Sequence, residues 1–310
     1  MLKQPRSVPL AAAFGILASL SCAHAQDRGS VNPKPLPPLE NPDAPSTPAK
    51  ALFGRVTGPA SGPAHAYGSY AKGCFSGGEA LPMDGATWQV MRPSRNRMWG
   101  TPYLVDFLER LAGKAPRVGW AGLLVGDMSQ PRGGPMLTGH ASHQLGLDAD
   151  VWLTPMPDRR LSRPEREETS ATNVVREDRL DIDPGVWAPE HLKLIRLTAE
   201  QPEVARIFVN PAIKKALCRE ATGGRGWLSK VRPMYGHNYH YHIRLACPEG
   251  QDSCGDQAPP PSGDGCGEEL AYWFSDAIMN PQPPKTKPRP RPPMTMAALP
   301  AACRVVLKAR

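Results

Sequence analysis

Two histidine-rich windows constrain this chain most, because a fold that uses both must bring them together across about a hundred residues. The first, residues 139–150, reads GHASHQLGLDAD, and the second, residues 237–242, reads HNYHYH. Five of the eight histidines fall inside them. Imidazole is the commonest protein ligand for transition metals, and a catalytic zinc takes three protein ligands while keeping one position open for water. Two histidines and one carboxylate drawn from the two windows would compose such a site.

Period-two patterning says how the windows can meet. If 239–245 is a strand, His240, His242 and Arg244 share one face, and Tyr241, Ile243 and Leu245 share the other. If 147–153 is a strand, Asp148, Asp150 and Trp152 lie opposite Ala149, Val151 and Leu153. The apolar faces belong in a core and the histidine and aspartate faces toward a cleft. Laid side by side, the strands bring His143, Asp150 and His242 within reach of one ion, with Gly146 allowing a sharp turn after His143. His240 shares a face with His242 and is the expected general base. Asp148 is expected to orient a histidine, with a solvated strand position as its alternative, and Arg244 or His237 to steady a developing oxyanion. His140 stays open between metal ligand, supporting group and surface residue. An isolated HxH or HxxxxxxD says little; their co-occurrence carries the argument. His24, His65 and His191 stand alone and receive no role, and Trp187 and Trp227 read as packing.

The remaining elements mix types. Residues 101–113 have helical apolar spacing, with Pro102 at the start and Gly113 as the expected cap. Residues 118–127 and 206–210 read as strands, 189–201 and 211–218 as helices. Without a regular βαβ rhythm, the expected class is α+β. The expectation is a single catalytic domain at 51–275, with helices flanking a central antiparallel sheet that carries the zinc site. Many of the chain's 37 prolines lie in two flanking tracts, at 26–50 and 276–310. Such tracts favour solvated, extended backbone.

Residues 1–25 read as a signal peptide: Lys3 and Arg6 precede a ten-residue apolar run at 11–20, and Ala23-His24-Ala25 offers a cleavage site. A lipid anchor on Cys22 fits less well, since Ser19 stands where that signal wants an aliphatic residue. No other segment is long and apolar enough to span a membrane. Of seven cysteines, cleavage would leave six, which suits three disulfides in an oxidising compartment with the pairing open at this point. A cysteine zinc knuckle is the weaker alternative, because no CxxC occurs. The formal net charge of +8 suits an anionic partner such as a cell wall, or simply solubility. The signal peptide and the lack of an aromatic-basic motif oppose nucleic acid binding.

Four blocks in order, GGPMLTGHASHQLGLDADVW, RIFVNPAIKKALC, WLSKVRPMYGHNYHYHIRLACP and PPSGDGCGEEL, resemble the penicillin-insensitive murein endopeptidases. These are zinc peptidases related to the D-alanyl-D-alanine dipeptidases and carboxypeptidases. The resemblance runs from about Gly73 to Cys303. It implies a periplasmic zinc enzyme that cleaves D-alanyl–meso-diaminopimelyl cross-links between peptidoglycan stem peptides. The family's zinc ligands fall on His143, Asp150 and His242. Its catalytic histidine falls on His240, and a further active-site histidine on His237. Its cysteine pattern implies Cys74–Cys303, Cys218–Cys266 and Cys247–Cys254, the first tying the tail back to the domain. The family can hold a second zinc through the histidine aligned with His140 plus an Asp and a His further on. Residues 176–183 offer Glu177, Asp178, Asp181 and Asp183 but no histidine, which leaves open both that ion and a homodimer depending on it. The rival functions are a DD- or LD-carboxypeptidase or dipeptidase on muropeptides, and a non-catalytic wall-binding protein.

Overall fold

The computed structural model describes residues 36–284, 286 and 291–309. The expected signal peptide lies outside the described residues. The strands are β1 (His65–Ser69), β2 (Lys72–Ser76), β3 (Glu79–Ala80), β4 (Trp88–Val90), β5 (Trp99–Gly100), β6 (Leu123–Val125), β7 (Asp148–Trp152), β8 (Val204–Val209), β9 (Val231–Pro233), β10 (His240–Leu245) and β11 (Cys254–Gly255). The helices are α1 (Ala49–Phe53), α2 (Pro102–Lys114), α3 (Arg163–Glu168), α4 (Pro189–Ala199), α5 (Pro211–Glu220), α6 (Glu268–Tyr272), α7 (Asp276–Met279) and α8 (Ala302–Lys308).

A six-stranded sheet in the order β4-β6-β7-β10-β8-β9 forms the centre. Its inner pairs are antiparallel, but β4 joins β6 and β8 joins β9 in parallel. The sheet is therefore mixed rather than purely antiparallel, in an α+β fold. Its register matters most. His242 faces Asp150 across the β7–β10 ladder, Arg244 faces Asp148, and His240 faces Trp152. The other face of the same strands carries Ala149, Val151, Tyr241, Ile243 and Leu245, all fully buried in the main core. Burying each large apolar side chain contributes roughly 1.5–3 kcal/mol. That face therefore cannot be turned outward, and the histidine face is fixed by default.

Local chemistry explains the helices. Pro102 opens α2, and Leu104, Phe107, Leu108 and Leu111 form its buried stripe. Gly113 does not end it: α2 runs to Lys114 and continues as a 3-10 turn through Val118, and Gly119 stops the chain at φ +83. That extension, followed by a loop around Trp120, shortens the strand expected at 118–127 to Leu123–Val125. Asn210 caps α5 by accepting from the Ala212 N–H at 3.0 Å. His191 is structural. It is buried at the start of α4, stacks on Trp187, accepts from the Ala188 N–H and donates to the Leu153 carbonyl.

A second, smaller core joins the ends of the described chain. Ala49 and Phe53 pack with Met296, Leu299, Cys303 and Val306, and the Ala49 N–H donates to the Met294 carbonyl at 2.8 Å. Disulfides join Cys74 to Cys303, Cys218 to Cys266 and Cys247 to Cys254. No helix among the described residues is long and apolar enough to cross a membrane.

Candidate active site

His143 enters the site on strained backbone. Its φ is +66, in the left-handed region, and its side chain is fully buried. Such a conformation costs a non-glycine residue of order 1–3 kcal/mol and persists only where the surroundings over-determine it. Here they do. The His143 N–H donates to Asp148 Oδ2 at 2.9 Å, and its carbonyl accepts from the Ser129 hydroxyl. Gly146, at φ +68, completes the turn, where a Cβ would sit 2.9 Å from the Thr101 nitrogen.

The ring orientations follow from hydrogen bonding. His143 Nδ1 lies 2.6 Å from the Met128 carbonyl. A carbonyl only accepts, so Nδ1 carries the proton and Nε2 presents a lone pair. Nε2 points to Asp150 Oδ1 at 3.5 Å. On the opposite strand, His242 Nε2 lies 3.3 Å from Asp148 Oδ1, and its Nδ1 lies 3.8 Å from Asp150 Oδ1. His143 Nε2 and Asp150 Oδ1 are buried with no hydrogen-bond partner among the described residues. Orphaned buried polar atoms are costly, so a cluster of them calls for an absent partner. A cation fits that donor set.

A second set overlaps it. Donor atoms of His140, His143 and Asp150 lie within 4.8 Å of one another. His140 Nε2 is 3.5 Å from Asp150 Oδ2, but it also hydrogen-bonds Asp127 Oδ2 at 3.0 Å. That nitrogen is engaged by Asp127, whereas His143 and His242 both have their outer nitrogens turned toward acceptors and their inner ones toward Asp150. His240 Nε2 approaches Asp150 Oδ2 at 3.5 Å. The His237 ring stands 5.0 Å from that of His240, and its Nδ1 is 3.2 Å from the Tyr235 carbonyl.

Burial pushes His240 down to about 4, with Asp150 opposing, and His242 down to about 3, with Asp148 opposing. Both imidazoles are therefore neutral near pH 7. Burial also lowers His237. For Asp150, burial alone would raise the carboxyl, but His240, His143 and His140 hold it well below the carboxylate range. For Asp148, burial is likewise outweighed by Arg244 and His242.

One sequence expectation changes and one alternative falls. Asp148 is 1% exposed and sits beside His143 and His242, so the solvated strand position is ruled out and the supporting place is the one it occupies. Arg244 is no oxyanion group. It holds Asp148 through Nε at 2.9 Å and Nη2 at 3.1 Å, reaches Gln257 through Nη1 at 2.9 Å, and lies between the Tyr70 and Phe208 rings. The structure also adds residues. Asp127 sits beside Asp150 because their backbones pair, Asp150 N–H to Asp127 carbonyl at 2.9 Å. Burial would raise its carboxyl, but the His140 hydrogen bond and the Arg95 and Arg97 charges bring it far down. A cavity of about 150 Å³ opens among Arg92, Arg95, Asp127, Asp150, Trp152 and His240.

Known proteins place this arrangement in a family. A family profile described as penicillin-insensitive murein endopeptidase matches residues 66–308. The chain is 45% identical over 245 residues to the penicillin-insensitive murein endopeptidase of Yersinia enterocolitica, covering 79% of this chain and 89% of that protein. It is 45% identical to the one from Klebsiella pneumoniae over the same shares of both chains. It is 46% identical over 237 residues to the one from Haemophilus influenzae, covering 75% of this chain and 80% of that protein. With its histidine and aspartate cluster standing inside the matched region, the chain belongs to the penicillin-insensitive murein endopeptidase family.

Proposed function

We propose that this murein endopeptidase is a zinc enzyme that works in the periplasm and cleaves D-alanyl–meso-diaminopimelyl cross-links of peptidoglycan. The convergence of His143 Nε2, Asp150 Oδ1 and His242 Nδ1 on one buried point carries the reading. These three residues would hold the ion. When bound, zinc supplies a Lewis acid that polarises the scissile carbonyl and makes water acidic enough to ionise near neutral pH.

The chain's own residues supply the rest. His240 is neutral at working pH and borders the cavity, so Nε2 can accept a proton from the attacking water. The imidazolium that forms is stabilised by Asp150 at 3.5 Å and can pass the proton to the leaving amine. The His237 ring flanks it, 5.0 Å away. Asp148 braces the His143 backbone by accepting its N–H and lies 3.3 Å from His242 Nε2, while the Met128 carbonyl orients the His143 ring. Asp127 keeps His140 on the opposite side of Asp150. With Arg95 and Arg97 on that same carboxylate, a second cation there meets positive charge, which favours one ion over two. The three disulfides support an oxidising compartment, in line with the signal peptide expected at 1–25.

Digestion of purified cross-linked dimeric muropeptides tests the reading. Chromatography should show dimers converted to monomers without release of free D-alanine. Changing His240→Ala should lower kcat/KM by roughly 10²- to 10⁴-fold. Free D-alanine with intact dimers would instead indicate a carboxypeptidase, and an unchanged rate in the variant would remove His240 from the mechanism.

A further inference from the structure

We propose that Trp152, Ala171 and Tyr239 form a methyl-sized subsite in the catalytic cavity. It takes the side chain of the residue on the carbonyl side of the scissile amide, and Ala171 sets the upper limit on that side chain's size. The inference rests on the endopeptidase reading above and adds what selects the residue on that side of the bond.

The cavity has two kinds of wall. Arg92, Arg95, Asp127 and His140 make a polar one. Its groups are committed to their neighbours. Arg95 donates to both oxygens of Asp127 at 3.2 Å, His140 Nε2 meets Asp127 Oδ2 at 3.0 Å, and the Arg92 guanidinium lies over the Trp152 ring, 5.6 Å from its centroid. Trp152, Ala171 and Tyr239 make the apolar wall. Trp152 and Ala171 are buried in one small cluster with Met91 and Leu124, and Tyr239 packs against it. A substrate side chain that enters here meets carbon.

Strand geometry sets the position. Trp152 continues the face of β7 that carries Asp148 and Asp150, and it stands opposite His240 in the ladder. Asp150 and His240 border the same cavity. On the carbonyl side of the amide, the α-carbon is bonded directly to the atom under attack, so its side chain falls beside these two groups. The cavity volume of about 150 Å³ is the share of roughly five water molecules. That is room for a one-carbon side chain beside the amide, and too little for the long diaminopimelyl side chain.

The apolar wall is also held in place. Ala171 sits on a loop tied at two points to the ends of the site. The Thr172 N–H donates to Thr154 Oγ1 at 2.7 Å, just past β7. The Val174 N–H donates to the Asn238 carbonyl at 2.9 Å, and Asn238 Nδ2 donates to Asn173 Oδ1 at 2.9 Å, next to His237. On the other side, the Trp152 ring lies directly on the backbone at Gly126, where a Cβ would come 2.8 Å from its Nε1. Neither side can recede for a larger guest, and packed walls resist even one added methylene.

The test compares cross-linked dimers that carry D-alanine or D-2-aminobutyrate on the carbonyl side of the bond. Wild type should favour the alanyl dimer by roughly 10- to 200-fold in kcat/KM, the range one methylene commands in an apolar pocket. Ala171→Gly should narrow that gap by roughly tenfold through a faster rate on the larger substrate, and Ala171→Val should widen it. Leu124→Val alters the same cluster without lining the cavity, so it should keep the gap. Calorimetric titration with the carbonyl-side product, ending in either residue, reads the same preference without turnover. Equal cleavage of both dimers by wild type, or a gap unmoved by Ala171→Gly, would overturn the subsite and leave the endopeptidase reading intact. If no cross-link is cleaved but the alanyl product still binds more tightly in an Ala171-dependent way, the endopeptidase reading falls and the subsite stands.

Discussion

Replacing His143 with alanine should remove bound zinc and cross-link cleavage together, with the rate falling roughly 10³-fold or more. The residue has no second task in the cavity that could mask the loss. Its outer nitrogen is tied to the Met128 carbonyl at 2.6 Å, and its inner nitrogen meets only Asp150 among the described residues. Chelator-treated wild type should reach the same floor. Added zinc should then rescue wild type but not the variant. Elemental analysis alongside initial rates checks this, and a variant that keeps one zinc per chain at near-normal rate would refute it. His140→Ala is the companion measurement. Its Nε2 is engaged by Asp127 at 3.0 Å, so the ion should stay. If both alanine variants lose zinc equally, the donor set is His140, His143 and Asp150 instead.

Asp148→Ala should lower the stability of the metal-free protein by about 3–5 kcal/mol. The carboxylate accepts two hydrogen bonds from Arg244 and one from the His143 N–H, all below the surface. Removing it leaves a guanidinium buried between Tyr70 and Phe208 with its main partner gone. It also withdraws a brace from the strained His143 backbone. Urea unfolding at constant slope reads the change as a shift in midpoint. Adding Arg244→Met should recover part of the loss, because the stranded charge is what costs most. A loss below about 1 kcal/mol would place Asp148 outside the framework of the site. The pH dependence has a definite sign. The folded carboxylate is held below its unfolded value of about 3.9, so this stabilisation is full above that pH and drains away as pH falls further.

How much of this was legible follows from what each feature depends on. HYHIRL and DADVW alternate with period two, so the shared faces of His240 with His242 and of Asp148 with Asp150 could be read directly. The register that sets His242 opposite Asp150 could not, because it depends on which strand edges pair. Arg244 looked available for the same reason that His240 did. Only the packed structure shows Asp148, Tyr70 and Phe208 closing around it. Asp127 gave little signal: it follows a short buried strand, and its partners Arg95 and Arg97 arrive on a separate turn. Gly113 matched a cap by spacing alone, yet a glycine can stay helical when the next residues continue the turn, as 115–118 do.

The Cys74–Cys303 bond reaches past the exposed proline-rich stretch at 281–284. A protease nick there would cut the chain without freeing α8, because the severed fragment stays covalently attached to β2 and seated on Ala49 and Phe53. Nicked enzyme should therefore run as one band on a non-reducing gel and as two after reduction. A molecule broken in its tail would thus keep its second core closed until the bond is reduced.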